Sequence, residues 1–170
     1  MESENTLNAN LNQRIEKSKR FKANTVAQYF RDSRLDWWKP EKKDEYIEQK
    51  EQIDQWLDTN TFQNTLEIGP GFGRITELLH PRTENLTLVE VNQNAIRKLK
   101  KSFPNSLLID DSVEQAMEIL NRKYDLICAV EVLVHIPDIS DLLKAIYDRL
   151  EDQGIFITSI TKDSAYGNRY

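Results

Sequence analysis

Residues 66–79 read LEIGPGFGRITELL, with glycine at 69, 71 and 73, Pro70 between the first two, and Glu67 just ahead. Glycine allows a tight turn and lets a ligand approach the backbone closely. The helical pattern that follows begins with backbone N–H groups that have no partner within the helix. A dinucleotide fingerprint needs a glycine where Arg74 stands, so this spacing argues against a nicotinamide enzyme. The chain also lacks the G-x-x-x-x-G-K-[ST] pattern, as suits a ligand with no phosphate to neutralise.

Further groups with chemical capacity follow in order. The run LVEVN carries Glu90 where a strand would end, and an acid there can accept hydrogen bonds from the hydroxyls of a ribose. The next apolar run ends in Asp110-Asp111-Ser112. A carboxylate there could accept from an adenine amino group, and Ser112 could cap the next helix. The segment AVEVLVHIPD (129–138) adds Glu131 and His135. His135 is the one obvious general base near this mouth, and it reads equally well as a packed residue at a helix entry. On a helix, Glu131 and His135 would share a face. With one cysteine and two histidines in the chain, however, no zinc site of soft ligands can be assembled, and no metal is expected. His80, before Pro81, reads as a helix-end residue.

The elements that must position these groups alternate. Strands are expected at 65–68, 86–91, 106–110, 124–130 and 154–160, the last after a turn at Gly154. Helices are expected at 74–80, 94–103, 113–122 and 138–150. The apolar runs are nearly continuous, as in parallel strands covered on both faces. Strand–helix repetition at this spacing predicts a doubly wound α/β sheet with its ligand at the carboxyl ends of the strands. Upstream, residues 1–12 are Asn-rich and read as frayed, 13–60 as an N-terminal helical cap including a helix at 41–58, and 61–170 as the sheet domain.

The 170 residues suffice for one domain with a sizeable core, and 30% charged residues at a net charge of −5 fit a soluble globular chain. No apolar run reaches the ~18 residues of a membrane span, and the polar start has no signal-peptide core. The lone Cys128 lies in an apolar run and suits a reducing cytoplasm. Residues 1–43 carry ten Lys/Arg against six Asp/Glu, whereas 44–170 carry thirteen against twenty-two. The acidic body argues against a nucleic-acid-binding core, and the basic arm leaves an anionic polymer as an alternative partner.

Taken jointly, EIGPGFGRIT, the acid ending the second strand and YDLICAVEVLVHIPD resemble the class I S-adenosylmethionine-dependent methyltransferases over about residues 64–160. The fourth-strand segment is similar to the VEVLEHIPD stretch of small-molecule members. The resemblance implies a Rossmann-like, mainly parallel sheet of order 3-2-1-4-5 with helices on both faces. It implies S-adenosyl-L-methionine as cofactor and S-adenosyl-L-homocysteine as product. It assigns the methionine part of the cofactor to Glu67, Gly69, Pro70, Gly71 and Gly73, and the ribose to Glu90 and Val91, flanked by Asn92 and Gln93. Asp111, Ser112 and Val113 would line the adenine, and Glu131 would lie beside the sulfonium.

The acceptor pocket is expected from outside the sheet. Tyr29, Trp37 and Trp38, with Phe30, could close as a lid, and Arg31 and Arg34 could hold an acidic substrate. The implied reaction is methyl transfer to a small molecule by in-line displacement, with His135 as the candidate catalytic base. Members that methylate RNA ends carry a second acid where Val134 stands here, which again argues against a metal. The sixth and seventh strands of the family are not recognisable. A second copy, a partner subunit or the tail would then cover the sheet edge, and a non-catalytic cofactor-binding module becomes one alternative. An RNA or protein methyltransferase using the basic arm is the other.

Overall fold

Two hydrophobic cores, one on each face of a single sheet, explain why the strand sequences are apolar without interruption. In the computed structural model, which describes residues 26–31 and 43–159, the elements alternate along the chain. Helical residues 26–31 (α1) and helix α2 (Lys43–Leu57) precede strand β1 (Phe62–Ile68). Then come α3 (Thr76–Leu79), a 3-10 turn (His80–Arg82), β2 (Thr83–Glu90), α4 (Gln93–Ser102) and β3 (Leu107–Asp110). The remainder is α5 (Val113–Ile119), β4 (Tyr124–Ala129), a 3-10 turn (Leu133–His135), α6 (Ile139–Arg149) and β5 (Leu150–Thr158). The expected Trp37–Trp38 pair, Arg34, the frayed start 1–12 and the tail beyond Ser159 lie outside the described residues.

The sheet order is β3-β2-β1-β4-β5, with every pairing parallel, as the sequence implied. Because side chains alternate along a strand, neighbours feed opposite cores. Leu126 and Cys128 enter the core with Ile53 and Leu57 of α2, Leu79 of α3 and Leu99 of α4. Ile127 and Ala129 enter the other, with Met117 of α5 and Ile146 of α6. Helices therefore cover both faces. The N-terminal helix α2 is part of this packing, since Ile53 and Leu57 are buried.

Several boundaries differ from the sequence reading, each for a local reason. Strand β1 starts at Phe62 rather than 65, because the Asp125 carboxylate accepts from the Gln63 and Asn64 N–H groups at 2.6 and 2.8 Å. Pro81 does not stop the chain's coiling at once. It sits in the 3-10 turn at the first or second position, where its missing N–H costs nothing. Helix α5 ends at Ile119 rather than 122. Strand β5 begins at Leu150, not at Gly154, and passes a register irregularity opposite Tyr124 and Leu126. A side chain at Gly154 would press on the Tyr124 and Glu151 carbonyls there.

Candidate active site

Register brings the candidate groups to one rim of the sheet. Glu67 pairs with Leu88 on one side and Cys128 on the other, and Glu90 pairs with Asp110, so the carboxyl ends of the strands gather the acids. Glu67 is buried, and its Oε2 accepts a hydrogen bond from Thr76 Oγ1 at 2.7 Å. Burial pushes its carboxyl up to about 8, against the Thr76 hydrogen bond and with further help from the nearby Glu90 charge. Arg74 opposes the rise weakly.

The glycines after β1 all have left-handed backbone, with φ of 63° at Gly69, 54° at Gly71 and 93° at Gly73. The Gly69 N–H donates to the Val89 carbonyl at 2.9 Å, which ties the loop to β2. The three differ in what surrounds them. A Cβ on Gly69 would stand 2.5 Å from Val132 Cγ2, and one on Gly73 2.9 Å from Phe103 Cε2. A Cβ on Gly71 would meet nothing within 4 Å. Only Gly71 therefore borders open space, while Gly69 and Gly73 are bare to admit the protein's own side chains.

Glu90 ends β2 and is held from three sides. Its Oε1 accepts from the Val91 and Asn92 N–H groups, both at 2.8 Å, and its Oε2 from the Gly71 N–H at 2.8 Å. Burial raises its pKa, and those three backbone donors work against the rise. A carboxylate offers about four acceptor positions, and the described residues fill three of them, which leaves one on Oε2 for a ligand hydroxyl. Engaging both hydroxyls of a diol requires the Gly71 amide to yield its place.

At the tip of β3 the two aspartates separate. Asp110 accepts from Gln93 Nε2 at 2.9 and 3.0 Å and from Arg31 Nη1 of α1 at 3.0 Å. Asp111 Oδ1 accepts from the Ser112 N–H at 2.8 Å. Ser112 caps α5 by accepting from the Gln115 N–H, as its type suggested. Val113 is buried in the core beneath. Asn92 caps α4, accepting from the Asn94 and Ala95 N–H groups, and its Nδ2 donates to the Phe30 carbonyl at 2.9 Å. Arg31 and Asn92 thus anchor α1 beside Glu90 and Asp110.

The fourth-strand segment departs from the helical reading. Glu131 lies in a turn with φ +61°, and His135 ends the short 3-10 element, so the two do not share an α-helical face. His135 is half-buried against the Phe30 ring, centroids 4.7 Å apart, and its Nδ1 is buried without a partner among the described residues. Burial lowers its pKa, and Glu131 partly offsets that. Tyr29 is exposed and meets Phe30 edge-on. No group of three or more His, Cys, Asp or Glu that could hold a metal occurs among the described residues.

Four residues of this rim escaped the sequence reading: Gln49, Arg74, Thr76 and Ser159. Arg74 Nη2 donates to Gln49 Oε1 at 2.5 Å, and its guanidinium lies 5.0 Å from the centre of the Tyr46 ring. Burial lowers the Arg74 pKa, with Glu131 the strongest opposing charge. Gln49 Nε2 in turn donates to Glu131 Oε1 at 3.0 Å. Arg74 and Thr76 directly follow the glycine loop, a position that could have flagged them. Gln49 and Ser159 give no such signal.

Residues 38–169 match the family described as methyltransferase domain. Nodulation protein S of Azorhizobium caulinodans is 36% identical over 104 residues, covering 59% of this chain and 50% of that protein. Ribosomal RNA small subunit methyltransferase A of Mycoplasma mycoides is 30% identical over 127 residues, covering 66% and 48%. The chain thus spans about half the length of the curated relatives it matches. Among solved structures, the N-methyltransferase NodS of Bradyrhizobium japonicum WM9 with S-adenosyl-L-homocysteine superposes with a TM-score of 0.61 at 19% identity, covering 80% of this chain and 71% of that one. That likeness shows the fold. By the match across 38–169, the chain belongs to the methyltransferase-domain family.

Proposed function

We propose that this chain is an S-adenosylmethionine-dependent methyltransferase that acts on a small-molecule acceptor by in-line displacement. The carrying observation is Glu90, fixed at the tip of β2 by three backbone N–H groups, one of them from the glycine loop, with an acceptor position open. The residues present suit such a cofactor. Glu90 fits a ribose diol, open space at Gly71 admits a close approach, and Glu67 fits an amino-acid ammonium group. The solved N-methyltransferase relative holds S-adenosyl-L-homocysteine, which supports the same choice.

The cofactor, when bound, supplies an electrophilic methyl group on a positively charged sulfur that departs as a neutral thioether. The chain's part is to bind, orient and exclude water. Glu67, Gly69, Pro70, Gly71 and Gly73 would hold the methionine part, and Glu90 with Val91 the ribose. Asp111, Ser112 and Val113 would line the adenine, Asp111 through the Oδ2 that its Ser112 contact leaves available. The acceptor would enter beside α1 and α2, where Tyr29 is a candidate contact; Trp37 and Trp38 remain candidates from the sequence, outside the described residues. His135, whose pKa burial lowers, is the candidate base for an acceptor that must lose a proton.

A second reading, methylation of RNA, draws on the ribosomal RNA relative, while the acidic body opposes it. The buried free thiol of Cys128 suits a cytoplasmic setting. No helix among the described residues is long and apolar enough to cross a membrane. A second copy or a partner subunit is the candidate cover for the β5 edge, where Ile155 is exposed. Incubation with methyl-labelled cofactor and mixed amines, phenols and thiols, with RNA in a parallel tube, tests the reading. Label on a small acceptor is the expected result. Label on RNA alone would replace the substrate class, and bound cofactor without transfer anywhere would favour a non-catalytic module.

A further inference from the structure

The turn after β4 holds a carboxylate that the fold clamps on one oxygen and leaves open on the other. Gln49 Nε2 and Ser159 Oγ both donate to Glu131 Oε1, each at 3.0 Å. The Glu131 N–H donates back to Ser159 Oγ at 2.7 Å. Nothing among the described residues donates to Oε2. An ionised carboxylate accepts on both oxygens, so half of this one's capacity is unspent in a half-buried place. Its backbone is left-handed, at φ +61°. For a glutamate that is a strained conformation, of a kind that clusters at ligand sites. Gln49 also bridges to a cation, accepting from Arg74 on its amide oxygen and donating to Glu131 from its amide nitrogen. Four residues on, His135 Nδ1 is a buried polar atom without a partner among the described residues.

We propose that this turn is the acceptor subsite and that it takes an amine: Glu131, clamped by Gln49 and Ser159, presents Oε2 to the ammonium group of the acceptor. The inference rests on the methyltransferase reading above and adds the substrate class to it. A charged donor suits the open oxygen better than a hydroxyl, because hydrogen bonds between ionised partners are roughly twice as strong as neutral ones. In the transfer, the ammonium gives one proton to the Glu131 carboxylate and so frees its nitrogen lone pair. That pair forms the new N–CH3 bond as the S–CH3 bond breaks with its electrons to sulfur. The methylated product leaves as a cation, and Glu131 returns its proton to water.

The test compares isosteric probes, benzylamine with benzyl alcohol and cyclohexylamine with cyclohexanol, by ligand-observed NMR on the full chain with and without saturating S-adenosyl-L-homocysteine. In the wild type, the amines are expected to bind at least tenfold more tightly than the matched alcohols. In Glu131→Gln, which keeps the side chain's size, that ratio is expected to fall to about one. Equal binding of amine and alcohol by the wild type, no binding of either amine, or an unchanged ratio in Glu131→Gln overturns the proposal. So does a folded Glu131→Gln protein that no longer takes S-adenosyl-L-homocysteine, because Glu131 would then serve the cofactor. A wild type that takes the homocysteine compound but not the amines sinks this inference alone; one that takes neither removes the methyltransferase reading as well.

Discussion

If Glu67 holds the ammonium group of the cofactor, as proposed, ligand binding must change its protonation state. In the free protein its carboxyl, pushed up to about 8 by burial, holds a proton at neutral pH. An amino-acid ammonium group needs the carboxylate, so binding below pH 8 must expel that proton. Affinity for S-adenosyl-L-homocysteine should therefore rise between about pH 6 and pH 8, by up to tenfold per unit, and level off above. Calorimetry in buffers of different protonation heat reads both the slope and the proton released. Glu67→Gln should flatten the profile, and a flat wild-type profile would contradict this account of Glu67. The place of Glu67 on the rim was legible because a strand-end acid before a glycine turn is a local pattern. Gln49 was not legible, because its partners Arg74 and Glu131 lie 25 and 82 positions away and only the docking of α2 brings them together.

At the scale of elements, the glycine loop separates packing from binding. Gly69→Ala forces an alanine into left-handed backbone and drives its Cβ into Val132. Strain and overpacking together should cost about 2–4 kcal/mol in denaturant unfolding. Gly71→Ala has the same backbone penalty, about 1 kcal/mol, but open space around the new methyl. Its loss of affinity for S-adenosyl-L-homocysteine should exceed its loss of stability. Equal stability losses in the two variants would contradict the assignment. The five strands could be read from continuous apolar runs, since coverage on both faces leaves that imprint, whereas their order followed from the family resemblance. The turn at Glu131 could not, because glutamate rarely adopts left-handed backbone and its spacing from His135 is equally that of a helix. The start of β5 was misplaced for a related reason: the exposed Glu151 and Asp152 lack apolar character, yet they lie in the strand.

Over the whole molecule, the sheet is closed on both faces by helices, and its carboxyl rim is met by α1 and α2 from the N-terminal side. Arg31 reaches Asp110, Asn92 reaches the Phe30 carbonyl, and Gln49 reaches Glu131, so the N-terminal helices contact the rim from the β3 tip to the turn after β4. The charge separation seen in the sequence, +4 over 1–43 and −9 over 44–170, leaves the rim on the acidic part, as suits a sulfonium cofactor and an amine more than a polyanion. In the proposed function, this rim binds the methyl donor through Glu90. The most direct test of that claim is calorimetric titration with S-adenosyl-L-homocysteine of the wild type and of Glu90→Ala, with thermal unfolding to verify that the variant is folded. The wild type should bind, and the variant should lose roughly 1–3 kcal/mol, about ten- to a hundredfold in affinity, as expected when a charged hydrogen-bonding partner is removed. A folded wild type that fails to bind, or a folded variant that binds equally well, would contradict it.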